Sequence, residues 1–255
     1  MPTDITAARA AFRALHAEGC FVLPNPWDAG GAVRLQKLGF KALASTSAGV
    51  AWAMGRQDGE LLLEELLQHL EMLCQATDLP VNADLEAGFA DEPEGVAANV
   101  ARAIGTGVAG LSIEDRTGRD LYDPGLAAER IRAARGAIDR SGQDVVLVGR
   151  TEGYLIGRKD FAPTLERLVA YAEAGADCLY APGLTDMGEI AEVVRAVAPK
   201  PVNVLLWGPD MRIPDLAAAG VRRVSTGGAL AGAAWAAFDK AARQLLEDGS
   251  APPRG

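Results

Sequence analysis

Four residues carry most of the chemistry this sequence could perform: Asp84 and Glu86, two positions apart, then Glu114 and Arg150. Asp84 and Glu86 close the run Val81-Asn82-Ala83-Asp84-Leu85-Glu86, which follows Pro80 and reads as a short buried strand. Side chains alternate along a strand, so both carboxylates would leave the same face. Two anions placed this way repel unless a cation lies between them. Oxygen donors of this kind suit magnesium, with manganese as the alternative, rather than zinc. A polar pair facing water at a sheet rim is the competing reading. Glu114 ends a second apolar run and Arg150 a third. On adjacent strands these would put a cation site and a guanidinium fork in one cup, and the fork matches a carboxylate bidentately. A 2-oxo acid could meet the cation through its keto and carboxylate oxygens as an enolate develops. The alternative is a structural Arg–Glu network that ties the strands together.

The elements that would position these groups follow a rhythm. Short apolar or β-branched runs at 20–24, 42–47, 81–86, 110–115, 145–151, 178–181, 202–206 and 223–226 alternate with amphipathic helical stretches such as 59–75 and 161–174. A leading helix is predicted over 4–18. Gly39, Gly107, Gly175 and Gly220 stand where a helix stops and the next strand approaches, as a left-handed C-cap requires. Eight strands, each followed by a helix, is the count for an α/β (β/α)8 TIM barrel. A doubly wound sheet would need a Gly-rich turn after an early strand, and Pro24-Asn25-Pro26-Trp27-Asp28 is not one. We therefore expect a single barrel domain over 1–248 and a disordered Pro/Gly tail over 249–255. Polar residues collect at the predicted strand ends, where a barrel keeps its chemistry. Gly227-Gly228 after the last strand serves either tight packing or phosphate binding.

Composition narrows the partners. A net charge of -9 over 255 residues, with few aromatics, argues against nucleic acid and against an anionic membrane surface. No run reaches the length of a membrane span and no apolar signal core opens the chain. Three scattered cysteines read as reduced core residues of a cytoplasmic protein. His16 and His69 sit among charged residues in helical patterns and are expected on solvent faces.

Taken in order, Asn25-Pro26-Trp27-Asp28-Ala29-Gly30, Thr46-Ser47-Ala48-Gly49, Gly55-Arg56-Gln57-Asp58, Asp84-Leu85-Glu86-Ala87-Gly88-Phe89, Ile113-Glu114-Asp115 and Gly149-Arg150-Thr151 resemble the isocitrate lyase/phosphoenolpyruvate mutase superfamily. The resemblance runs from about residue 20 to 230. It implies a (β/α)8 barrel whose C-terminal helix is exchanged between subunits of a homodimer or homotetramer. It also implies a magnesium-dependent enzyme that acts on a small 2-oxo or 2-hydroxy (di)carboxylic acid. On that basis Asp84 is the direct metal ligand, with Glu86 and Glu114 acting through bound waters. Asp58 holds that shell or acts near the reacting centre. Ser47 and the backbone of Ala48 and Gly49, assisted by Arg150, bind the 2-oxo carboxylate. Trp27, Asn203 and Trp207 are further substrate contacts. Apart from the resemblance, Tyr122 or Asp120 is a candidate acid/base on a mobile lid, with a solvated loop as the competing reading.

Two departures from the family pattern shape the expected reaction. The Lys-Lys-Cys-Gly-His loop of the tricarboxylate lyases is replaced by Arg116-Thr117-Gly118-Arg119-Asp120-Leu121-Tyr122-Asp123, which has no Cys. The Lys-x-Asn-Ser type loop of the phosphonopyruvate enzymes is also missing. On the seventh strand the Asn-x-Thr-x-Ser of the tricarboxylate lyases becomes Asn203, Leu205 and Trp207, which trades two hydroxyl donors for apolar surface. The expectation is a carbon–carbon lyase, retro-aldol or decarboxylating, working through a metal-stabilised enolate. Phosphorus–carbon chemistry is the alternative, and a non-catalytic 2-oxo acid binder is a second.

Overall fold

The structure is a computed structural model that describes residues 4–251. Eight parallel strands form one sheet: β1 (Phe21–Leu23), β2 (Leu43–Ala44), β3 (Val81–Asp84), β4 (Gly110–Glu114), β7 (Val146–Arg150), β8 (Cys178–Tyr180), β9 (Val202–Leu205) and β10 (Arg223–Ser225). Their spatial order is β1-β10-β9-β8-β7-β4-β3-β2. The last gap is bridged by the Ala44 amide donating to Pro24 O at 3.1 Å and by Asn25 Nδ2 donating to Ser45 O at 2.8 Å. The sheet therefore curls into a nearly closed TIM barrel, with every predicted strand present. A small hairpin, β5 (Arg116–Thr117) with β6 (Asp120–Leu121), was not expected.

Helices cover the outside: α2 (Ala29–Lys37), α3 (Ser47–Ala53), α4 (Leu63–Ala76), α5 (Pro93–Gly105), α6 (Pro124–Ser141), α7 (Phe161–Glu173), α8 (Met187–Ala196), α9 (Ile213–Ala218) and α10 (Ala229–Asp248). The leading helix, α1 (Ile5–Ala17), is capped by the Asp4 carboxylate and closes the N-terminal mouth. There the Arg9 guanidinium donates to Val108 O at 3.0 Å and Ile104 O at 2.9 Å. Phe12, fully buried, plugs the barrel from below. Gly110 makes that plug possible, because an added Cβ would stand 2.6 Å from Phe12 Cε1 and 2.7 Å from Asn82 Oδ1. Overpacking of this kind costs about 1–3 kcal/mol. Gly110→Ala should therefore lower the melting temperature by roughly 2–4 °C for each kcal/mol lost. An unshifted calorimetric midpoint would show that the plug yields.

Both histidines are buried, against expectation. His16 is 8% exposed and His69 7%. The charged neighbours that suggested solvent lie on other faces of α1 and α4. His16 Nδ1 bonds Phe12 O at 2.8 Å, and its ring meets Phe12 and Phe21 edge-on. Burial, then the nearby Arg223, pushes its pKa down to about 3, so it is neutral. Cys74 and Cys178 are buried free thiols, as expected, whereas Cys20 is only half-buried at the edge of the core. No helix among the described residues is long and apolar enough to cross a membrane. The predicted tail falls partly outside the described residues, at 252–255. Before it, α10 buries only Ala231 and leaves Trp235, Phe238, Leu245 and Leu246 exposed.

Candidate active site

Acids gather at the C-terminal ends of β3, β4 and β7 around one guanidinium. Register explains why: Asp84 pairs with Ser112, and Glu114 pairs with Arg150. The Arg150 Nη1 donates to Asp84 Oδ1 at 3.1 Å, Nε donates to Glu152 Oε1 at 2.5 Å, and Nη2 lies 3.4 Å from Glu114 Oε2. The expectation that Arg150 is available to a substrate carboxylate is thus corrected in this state. Its fork is occupied by three side chains of the protein. Those acids hold its pKa well above the ordinary arginine value against the cost of burial. Burial, in contrast, pushes Glu114 well above the carboxylate range despite Arg150.

Asp84 is held from the other side by the start of α3. The Ser47 amide donates to Asp84 Oδ2 at 3.1 Å, and Ser47 Oγ lies 3.0 Å from the same oxygen. Ser47 Oγ is also 3.1 Å from Asp58 Oδ1, and its single hydrogen serves one acid at a time. A cavity of about 280 Å³ opens here, walled by Ser47, Ala48, Asp58, Asp84, Arg150 and Trp207. A second, of about 270 Å³, shares Ser47, Asp58 and Arg150 and reaches Glu86, Glu114 and Arg116.

Glu86 arrives by a different route from the one alternation predicts. The strand ends at Asp84, and the chain turns, with Gly88 N donating to Leu85 O at 2.8 Å. Glu86 itself has φ +46°, a left-handed conformation that costs a non-glycine residue of order 1–3 kcal/mol. Its carboxylate nevertheless converges on the same acids. Oε1 is buried and makes no hydrogen bond. Burial, then Asp84 and Asp58, pushes its pKa up to about 8.

These donors fit a hard divalent cation. They are carboxylate oxygens alone, one of them buried without a partner, around a single buried guanidinium. Among the described residues no three His, Cys, Asp or Glu side chains converge closely enough to ligate one ion together.

The raised Glu86 pKa sets a pH dependence. Without metal, the folded protein keeps a proton that the unfolded chain, near its ordinary 4.5, has released. Stability should therefore fall as pH rises from about 4.5 to about 8 and level off above. Melting curves across that range check the sign. Added magnesium should flatten the slope by replacing the proton.

Four expected site residues lie elsewhere. Trp27 packs its Cβ behind Gly49, where an added Cβ would sit 3.0 Å from it. The Gly49 amide is spent on Thr46 Oγ1 at 3.2 Å, capping α3. Asn203 is buried one layer below the rim, donating to Ser225 Oγ and accepting from Arg223 Nε. Leu205 and Trp207, further along the same segment, line the cavity instead. The Tyr122 hydroxyl points away, donating to Asp91 Oδ1 at 2.5 Å, with the Arg130 guanidinium 4.0 Å over its ring. Asp115, also at the end of β4, serves the scaffold, accepting from the Glu152 amide, the Tyr171 hydroxyl and Arg167. The amides of Thr226 and Gly227 are spent on Asn25 Oδ1, and Gly228 faces the Trp52 ring, so Gly227-Gly228 serves packing.

The lower wall of the cavity is formed by Asn82, Ser112, Tyr180 and Arg223, none of them expected there, together with Ser225, one of the polar residues at the end of the last strand. Inward alternation from the rim residues, Asp84 to Asn82 and Glu114 to Ser112, could have found the first two.

The family model for phosphoenolpyruvate phosphomutase matches residues 12–246. The oxaloacetate decarboxylase of Rhodopseudomonas palustris (strain BisB5) is 31% identical over 260 residues, covering 96% of this chain and 86% of its own. A Burkholderia cenocepacia J2315 structure described as a lyase/mutase is 48% identical with a TM-score of 0.94, over 97% of this chain and 91% of that one. The structure of 2,3-dimethylmalate lyase, a member of the PEP mutase/isocitrate lyase superfamily, is 28% identical with a TM-score of 0.88. It covers the whole of this chain and 91% of that one.

Proposed function

Because the chain belongs to the isocitrate lyase/phosphoenolpyruvate mutase superfamily, we propose that it is a magnesium-dependent carbon–carbon lyase for a small 2-oxo or 2-hydroxy (di)carboxylic acid. The observation that carries this reading is the cup itself. Asp84, Glu86 and Glu114 surround one guanidinium, and a buried Glu86 oxygen has no partner. The decarboxylase and dimethylmalate lyase relatives support the carbon–carbon class.

Asp84 would hold the ion directly, with Glu86 and Glu114 reached through water. Bound there, magnesium would supply positive charge against an enolate developing on the substrate. Ser47 and Ala48, on the first turn of α3, would receive the 2-oxo carboxylate. Arg150 would exchange part of its hold on Asp84 for the substrate once the ion neutralises that acid. Asp58, exposed at the cavity mouth and within reach of Ser47, would carry the proton in place of Tyr122. The apolar face of α10, with Trp235 and Phe238 in edge contact at 5.8 Å, is the surface we assign to the homodimer or homotetramer.

The test is a substrate panel followed by proton NMR with magnesium and with chelator. Magnesium-dependent cleavage of an oxaloacetate or an alkylmalate is the expected result. Turnover of phosphonopyruvate instead would transfer the site to phosphorus–carbon chemistry. Tight 2-oxo acid binding without any turnover would make the protein a binder.

A further inference from the structure

Beneath the acid cup, the barrel interior holds a second charge that this reading does not use. Arg223 opens β10 and is 3% exposed, yet its side chain lines the floor of the cavity. Nε donates to Asn203 Oδ1 at 3.1 Å. Nη1 donates to Asn82 Oδ1 at 3.2 Å and stands 3.5 Å from Nε2 of the neutral His16. The guanidinium also lies 5.8 Å over the Phe12 ring. Every one of these partners is neutral. Among the described residues no carboxylate pairs with Arg223, and Nη2 makes no hydrogen bond. The groups that bear on its charge are the neutral Cys178 thiol and Tyr180 phenol.

A buried guanidinium without an anion is rare, because burying a charge is costly unless it is paired. Here the open side of the charge faces the cavity, and the wall around it is polar. Asn82, Ser112, Tyr180 and Ser225 line the same space, with Ser225 Oγ 3.5 Å from the Tyr180 hydroxyl. Asn82, which touches Arg223, lies two residues before Asp84 on β3. At a strand rise of about 3.3 Å per residue, the guanidinium sits roughly 7 Å below the acid cup. The cavity thus offers a cation site at its rim and a fixed cation at its floor, with Leu205 on the wall between.

We propose that Arg223 receives a second carboxylate of the substrate, so that the substrate is a short dicarboxylic acid standing upright in the barrel. The inference rests on the metal and 2-oxo acid reading of the rim, and adds to it where the far end of the substrate lies. The distal carboxylate points down the barrel axis and not toward Trp207, which is 55% exposed at the mouth. An acid with only the 2-oxo carboxylate leaves Arg223 unpaired and binds more weakly. A dicarboxylate gains a charge-assisted hydrogen bond from the open Nη2 side of Arg223, in a site closed to solvent from below by Phe12 and His16.

Calorimetric titration with magnesium present tests this with two probes. Oxalate carries only the head group. The second probe, 3,3-difluorooxaloacetate, adds a distal carboxylate, and its C3 has no proton to lose. Arg223→Met should weaken the difluoro acid by roughly 10- to 100-fold. Oxalate should change by less than about threefold, since its site is a layer away. Asn82→Asp supplies the missing anion from within at nearly constant volume, and should produce the same selective loss in a folded protein. It decides the matter if Arg223→Met melts early. Equal losses for both probes, or no loss for either, would overturn the assignment. Failure of oxalate to bind the unmodified protein would instead overturn the rim reading, and the inference with it.

Discussion

Asp84→Asn should lower kcat/KM by about 100- to 1,000-fold or more and remove the effect of magnesium on ligand binding, while leaving the fold in place. The substitution keeps the size of the side chain and an oxygen for the Ser47 amide, so the α3 contact at 3.1 Å can persist. What it removes is the negative charge that would meet the ion directly. Arg150 keeps Glu114 and Glu152, so the loss of one partner does not strand the guanidinium. A retained magnesium response in this variant would mean that the ion is held elsewhere. Asp84→Ala would be less informative, because it also leaves the Ser47 amide without its acceptor.

The second large effect belongs to Arg150, and a pair of variants separates its two duties. Arg150→Met leaves Asp84, Glu114 and Glu152 gathered without a cation. Removing one partner of a buried ion pair typically costs about 3–5 kcal/mol, and Arg150 is only 16% exposed. The metal-free variant should therefore melt far below the parent, and magnesium should recover part of the difference. Arg150→Lys keeps a charge but cannot hold three acids from Nε, Nη1 and Nη2 at once. Lysine should restore much of the stability while activity stays about 100-fold down. Activity restored together with stability would show that only the charge matters, and that the fork has no role in placing the substrate.

The barrel was legible because its signals are local and repeated. Each strand is a short apolar run, and glycines such as Gly39, Gly175 and Gly220 stand at positive φ before the next one. The rim was legible for the same reason, since Asp84, Glu114 and Arg150 end three such runs. Glu86 was placed correctly in space on a faulty premise. Nothing in Asp84-Leu85-Glu86 announces a left-handed glutamate, a conformation more usual for Asn, Asp or Gly, so alternation was extended two residues too far. Tyr122 failed because its partner, Asp91, is 31 residues away in sequence, and only the packed fold brings the two together. Asn203 failed by depth: its position on β9 faces inward, but one layer below the rim. The histidines failed because their sequence neighbours are charged while their own helical faces are buried. Arg223 went unread because a strand beginning with arginine usually keeps it in solvent, and the barrel turns this one inward.

The most direct test of the account is a crystal structure of the protein grown with manganese and oxalate, with the ion located by its anomalous signal. One peak is expected in the cup, directly against Asp84, with oxalate completing its coordination beside Ser47 and Ala48. Glu86 and Glu114 should face the ion through water, and Arg150 should have turned part of its fork to the oxalate. An empty cup, with Asp84 still bound to Arg150 and Glu86 still without a partner, would contradict it.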